Sequence, residues 1–130
     1  MNYLIDTDWV IEYLKGRKTT VEMITQHAAD GLAVSLITYG EIYEGILLGR
    51  DPKRHEQGFL TFLRTPVVVL SPNKLVMKRF AQIRGQLRQA GQLIGDFDLV
   101  IAATALHYNL TLLTHNTRHL SRIPDLKLLT

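Results

Sequence analysis

The chain has 130 residues, 46% of them apolar and 21% charged, with no cysteine. That length suits one domain, 1–130, and the apolar fraction is far above that of a disordered chain. Without cysteine there is no disulfide framework, thiolate zinc site or thiol nucleophile. No apolar run spans a bilayer, and the acidic opening Met1-Asn2-Tyr3-Leu4-Ile5-Asp6-Thr7-Asp8 is unlike a signal peptide. The expected setting is the cytoplasm.

The net charge of +3 is unevenly spread. Residues 50–91 hold nine Lys/Arg against two acids, a balance of +7, which leaves −4 for the rest. No acid occurs between Gln57 and Gly95. A basic stretch of this kind suits either a polyanion or water.

Tyr3-Leu4-Ile5 reads as a buried strand running into Asp6, followed by a short helix to about Gly16 and a second over Val21–Ala29. Leu32–Ile37 reads as a strand and Thr38 to about Leu48 as a helix, opened by a Thr38-x-x-Glu41 capping box. Asp51–Leu63 is a further helix, and the β-branched Val67–Leu70, between two prolines, is a strand.

A long helix over Asn73–Ala90 has apolar residues at 76, 80, 83 and 87. Its other face carries Lys74 and Lys78, then Arg84 and Arg88, two like-charge pairs at i,i+4 that mildly oppose the helix. Asp98–His107 is a helix, Thr111–Leu113 a strand, and Lys127–Leu129 an edge strand. Alternating strands and helices predict an α/β fold, a three-layer α/β/α sandwich around a mostly parallel sheet. Ligands of such sheets sit at the carboxyl ends of the strands.

Acids follow at or near those ends: Asp6 and Asp8, Glu41, then Asp96 and Asp98. Singly, each has a structural role open to it. Asp6 or Asp8 could cap the first helix, Glu41 could complete its capping box, and Asp96 could cap the helix holding Asp98. Converging, they would repel one another unless a cation neutralised them. Mg2+ or Mn2+ is the hard cation such oxygen donors take. Carboxylates, a divalent cation and a basic surface are what phosphodiester hydrolysis requires.

The runs Leu4-Ile5-Asp6-Thr7-Asp8, Thr38-x-x-Glu41, Asp98-Leu99-Val100-Ile101-Ala102-Ala103-Thr104-Ala105 and Leu113-Thr114-His115-Asn116 resemble the successive motifs of PIN-domain ribonucleases, above all the VapC toxins. The resemblance covers essentially the whole chain. It implies that Asp6, Glu41 and Asp98 form an acidic triad holding Mg2+ or Mn2+, with Asp96 as an additional acid. Thr7, Thr114 and Asn116 would be auxiliary polar groups, and Lys78, Arg84 and Arg88 would grip RNA. The reaction implied is metal-dependent endoribonucleolytic cleavage of tRNA, rRNA or mRNA. The partners implied are a cognate VapB-like antitoxin and a second copy of the chain, as a homodimer or a higher complex with the antitoxin.

The sequence departs from this family where many members carry an acid and this chain has Arg118-His119. His119 could ligate Mn2+, approach a phosphate, or remain solvated. His27, His55, His107 and His115 lack metal-ligand spacing, and Trp9, Tyr13, Tyr39 and Tyr43 suit a core or a dimer interface better than base stacking. Two further readings compete: a small phosphohydrolase with Asp6 as nucleophile, and a non-catalytic scaffold that binds RNA or a protein.

Overall fold

The computed structural model describes residues 1–130. Five strands form one sheet: β1 (Tyr3–Ile5), β2 (Leu32–Ser35), β3 (Val67–Leu70), β4 (Thr111–Leu113) and β5 (Leu128–Leu129). Their order is β3-β2-β1-β4-β5 and every neighbouring pair is parallel. The chain winds outward from β1 through β2 to β3, then returns to add β4 and β5 on the other side. The order therefore reverses between β1 and β4, and the crevice of such a reversal is where parallel sheets bind ligands.

Seven helices cover the two faces: α1 (Thr7–Leu14), α2 (Lys18–His27), α3 (Leu36–Leu48), α4 (Pro52–Arg64), α5 (Lys74–Gln89), α6 (Asp96–His107) and the one-turn α7 (Thr117–Leu120). The three-layer α/β/α arrangement expected from the alternation is present, with the sheet wholly parallel. Trp9 and Val10 of α1, Ile24, Ile42, Ile46, Phe59 and Phe62 pack on one face. Val76, Ile83 and Leu87 of α5 pack with α6 on the other. All residues of α6 from Leu99 to Ala105 are buried, so this helix has no polar face and its alanines admit close neighbours. Tyr39 and Tyr43 stack around Phe59 at ring distances of 5.6 and 5.7 Å, a core role.

Several boundaries differ from the sequence reading. β2 ends at Ser35, whose hydroxyl accepts from Ile37 N at 3.1 Å and caps α3. Leu36 and Ile37 are therefore helical rather than strand, and Thr38 lies inside the helix. The capping box does not form, because Glu41 is beyond the first turn and bonds elsewhere. Gly95, without a side-chain bond, occupies the cap position of α6, so Asp96 is its first residue and not its cap. The second helix starts earlier, at Lys18, and a 3-10 turn over Ala28–Asp30 closes it. The short α7 carries no periodicity long enough to read.

Gly31 has φ +86°, and a Cβ there would lie 2.6 Å from Met1 Cα. Its carbonyl accepts from Asn2 N and Tyr3 N at 3.1 and 3.2 Å, which starts the register of β1 on β2. At the head of α5, Asn73 accepts from Val76 N at 2.8 Å. Replacing Asn73 by Ala should lower unfolding free energy by about 1 kcal/mol, read as an earlier urea midpoint with unchanged slope.

Candidate active site

β1 delivers Asp6 to the crevice, where its extended backbone (φ −71°, ψ 159°) makes it the cap of α1. The side chain is 5% exposed. One carboxylate oxygen accepts from Thr7 N at 2.8 Å and the other from Thr114 Oγ1 at 2.7 Å. Burial pushes its pKa up to about 6, and the charges of Asp8 and Asp98 add to that rise against the lowering hydrogen bonds. The capping role foreseen for Asp6 is real and coexists with the others.

Thr7 ties this acid to a second. Its hydroxyl donates to Glu41 Oε1 at 2.8 Å and stands 2.9 Å from the hydroxyl of Thr38. A hydroxyl has one proton, so Thr38, fully buried, donates in turn to Thr7. Glu41 is three residues along α3 from Thr38 and shares its face. Burial raises the Glu41 pKa, as do the charges of Asp98 and Glu44. Its second oxygen accepts no hydrogen bond from the protein.

The third acid, Asp98, stands in the first turn of α6. Its Oδ2 accepts from Asn116 Nδ2 at 3.2 Å. Burial raises its pKa, partly offset by His119 and reinforced by Asp8. The loop after β4 supports both Asp6 and Asp98: the buried Thr114 Oγ1 donates to Asp6 and accepts from Asn116 N at 3.0 Å. Asp8 holds this loop to α1, accepting from His115 N at 2.9 Å. The His115 ring contacts Glu12 Oε1 at 2.9 Å and packs beside Trp9.

Asp96 lines the same opening as Glu41, Phe97 and Asp98, a cavity of about 340 Å3. Its Oδ1 is engaged by Arg84 Nε at 2.9 Å, however, and 63% of its side chain is exposed. Arg84 is thereby fixed at the edge of the site, while Lys78 and Arg88 lie exposed along α5. Asp6, Glu41, Asp98, Thr7, Thr114 and Asn116 thus meet in one connected network, with Asp96 at its margin.

Thr38 and Asp8 are parts of this network that sequence reasoning left without a role in the site. For Thr38 the signal was its spacing from Glu41, read there as a cap. His115, expected to do nothing, is a structural clasp between α1 and the loop after β4.

The donor set is all oxygen, and the pKa of all three carboxylates is raised, by burial first and by neighbouring acids second, a cost of ionisation that an added cation would relieve. No three acidic or histidine side chains close into a ready-made cage. The chemistry therefore fits a hard cation held by few protein ligands with water completing its shell, as Mg2+ prefers.

Residues 3–126 match the PIN domain family. The chain is 34% identical over 131 residues to a protein of Haemophilus influenzae strain R2866 named Ribonuclease VapC1, covering 98% of this chain and 96% of that one. Among solved structures, VapBC-1 from nontypeable Haemophilus influenzae superposes with a TM-score of 0.85 at 30% identity, over 99% of this chain and 97% of that one. VapBC2 from Rickettsia felis, bound to a DNA fragment from its promoter, superposes with a TM-score of 0.92 at 25% identity, over 99% and 98%.

Proposed function

The chain belongs to the PIN-domain family, and from that premise we propose that it is the ribonuclease toxin of a toxin–antitoxin pair, an endoribonuclease that needs Mg2+ or Mn2+ and is neutralised by a cognate VapB-like antitoxin. Residues 1–130 act as one domain, in the cytoplasm, on tRNA, rRNA or mRNA. The observation that carries the reading is the hydrogen-bonded crevice that gathers Asp6, Glu41 and Asp98 from three distant parts of the chain.

Asp6 and Asp98 would hold the cation and Glu41 would complete the set, with Asp96 entering once Arg84 releases it. A bound divalent ion steadies negative charge on the phosphate and eases deprotonation of water. Thr7 and Thr114 fix the carboxylates of Glu41 and Asp6 by donating to one oxygen of each. Glu41, with a free oxygen and a raised pKa, takes the proton of the attacking water. The water oxygen bonds to phosphorus, the P–O3′ bond breaks, the 3′-oxygen takes a proton, and the phosphate stays on the 5′ end of the downstream fragment.

The basic face of α5 suits the RNA backbone, with Arg84 nearest the acids. Lys78→Gln with Arg88→Gln should raise KM several-fold with little change in kcat. The slope of log affinity against log salt should flatten by roughly 0.7 per charge removed, measured on single-stranded RNA.

The groove between α1, α3 and α4 suits the antitoxin. It has a volume of about 630 Å3, an apolar floor that includes Ile42 and Ile46, Lys15 and Arg54 among its lining residues, and Glu41 at its margin. A chain segment laid along it reaches the acids, and a basic side chain there would replace the cation's charge. The decisive experiment is cleavage of a mixed RNA pool by the purified chain with Mg2+, with EDTA, and with Asp98→Asn. Cleavage only in the first case supports the reading. Equal activity with EDTA, or full activity of the variant, would falsify it.

A further inference from the structure

We propose that His119 is a positioning residue for Asp98, acting through the side-chain amide of Asn116. The inference rests on the nuclease reading and concerns how one of its acids is held. His119 Nδ1 lies 2.9 Å from Asn116 Oδ1, and Asn116 Nδ2 donates to Asp98 Oδ2 at 3.2 Å. An amide has one accepting end and one donating end, and an ionised carboxylate only accepts. Turned over, the amide of Asn116 would set its oxygen against the carboxylate of Asp98. The group at its far end decides which way it faces, and an imidazole with the proton on Nδ1 demands the oxygen.

The backbone keeps both partners in reach. Asn116 N donates to Thr114 Oγ1 at 3.0 Å, and Leu120 N donates to Asn116 O at 3.1 Å. Leu120, 1% exposed, anchors α7 in the core. Positions 116 and 119 are three apart on that turn and so neighbour one another. The His119 ring itself is exposed, so its replacement leaves the core intact. Because Asn116 also closes on Thr114, which holds Asp6, one imidazole braces the loop that serves two of the three acids.

An amide donor at 119 places its nitrogen close to where Nδ1 stands. The order wild type ≈ His119→Asn > His119→Ala therefore ties the effect to a hydrogen-bond donor at this position.

The test combines three readouts on the three proteins: nitrogen NMR of the metal-free chain at pH 8, calorimetric titration with Mn2+ alone, and steady-state RNA cleavage. In the wild type the His119 ring is expected in the Nδ1–H form, with the Asn116 side-chain amide protons protected from exchange. His119→Ala should lose that protection. Its Mn2+ affinity and kcat should each fall about 10-fold, within the 10- to 100-fold range typical of groups that orient a ligand, while KM for RNA stays unchanged. His119→Asn should recover most of the loss. An Nε2–H ring, a His119→Ala protein equal to wild type, or a His119→Asn protein no better than His119→Ala would each overturn the proposal. Should the wild type cut no RNA while tautomer and Mn2+ affinity keep the expected order, the positioning role stands and the nuclease reading falls.

Discussion

Asp6→Asn should abolish RNA cleavage, with kcat/KM lower by at least about 1000-fold, and yet leave the metal-free protein as stable as wild type or more so at pH 7.5. The two halves of this result have one cause. Asp6 is a buried carboxylate whose pKa is pushed up to about 6 from 3.8, by burial first and by Asp8 and Asp98 after it. Keeping it ionised at neutral pH costs up to about 3 kcal/mol, at 1.36 kcal/mol per unit. Asparagine removes the charge while its Oδ1 still accepts from Thr7 N. Its Nδ2 donates to Thr114 Oγ1, reversing that bond. A higher melting temperature with lost cleavage is the expected pair of measurements. A less stable, equally inactive variant would mean that the fold and not the chemistry had failed.

Protons and divalent cations should compete for the same place. Asp6, and in direction Glu41 and Asp98, have folded-state pKa values above their ordinary ones. Between those values the folded chain holds the extra protons, so their contribution to stability is greatest at low pH. It is lost as pH rises through about 6. Glu12 works the other way. Its pKa is lowered by hydrogen bonds from Thr20 and His115, so its contribution is lost only as pH falls through its depressed value.

The metal-free chain should therefore melt at a higher temperature at pH 5 than at pH 7.5. Mg2+ at 100 times its dissociation constant should add about 2.7 kcal/mol at pH 7.5, and much less at pH 5, where protons occupy the carboxylates. Thermal melts at both pH values, with Mg2+ and with EDTA, measure this. The same Mg2+ response in Asp6→Asn as in wild type would remove Asp6 from the ligand set.

What could be read in the sequence depended on how local the cause was. Strands such as Val67–Leu70, and the periodic face of α5 at 76, 83 and 87, are fixed by burial and spacing, and both appear where expected. The buried middle of α6, Leu99–Ala105, has no amphipathic period, but its run of small and apolar residues still marked it. The start of α3 was misplaced because Leu36 and Ile37 favour a strand by type, while Ser35, as a cap, turns the chain two residues sooner. In the site, the residue types and the strand-end rule pointed to Asp6, Asp8, Glu41, Asp96 and Asp98 alike, and the family resemblance singled out Asp6, Glu41 and Asp98. The Thr7–Thr38–Glu41 and His119–Asn116–Asp98 links were not legible, since hydrogen-bond partners distant in sequence leave no spacing to find. Asp96 shows the same limit in reverse: its position is right for a ligand, and only the fold brings Arg84 onto it.

The place of β1 in the sheet sets the time at which a new chain can complete its crevice. The first strand made lies between β2 and β4, and Asp6 is completed by Thr114, 108 residues later. Asn116, which steadies Asp98, emerges later still. At about 5–20 residues per second of synthesis, roughly 5–20 s pass between Asp6 and Thr114 before the crevice can close. A chain cut short between Asp98 and β4 carries all three acids but lacks Thr114, the hydroxyl donor to the first of them. The arrangement leaves Asp6 without its Thr114 donor until the fourth strand has been made.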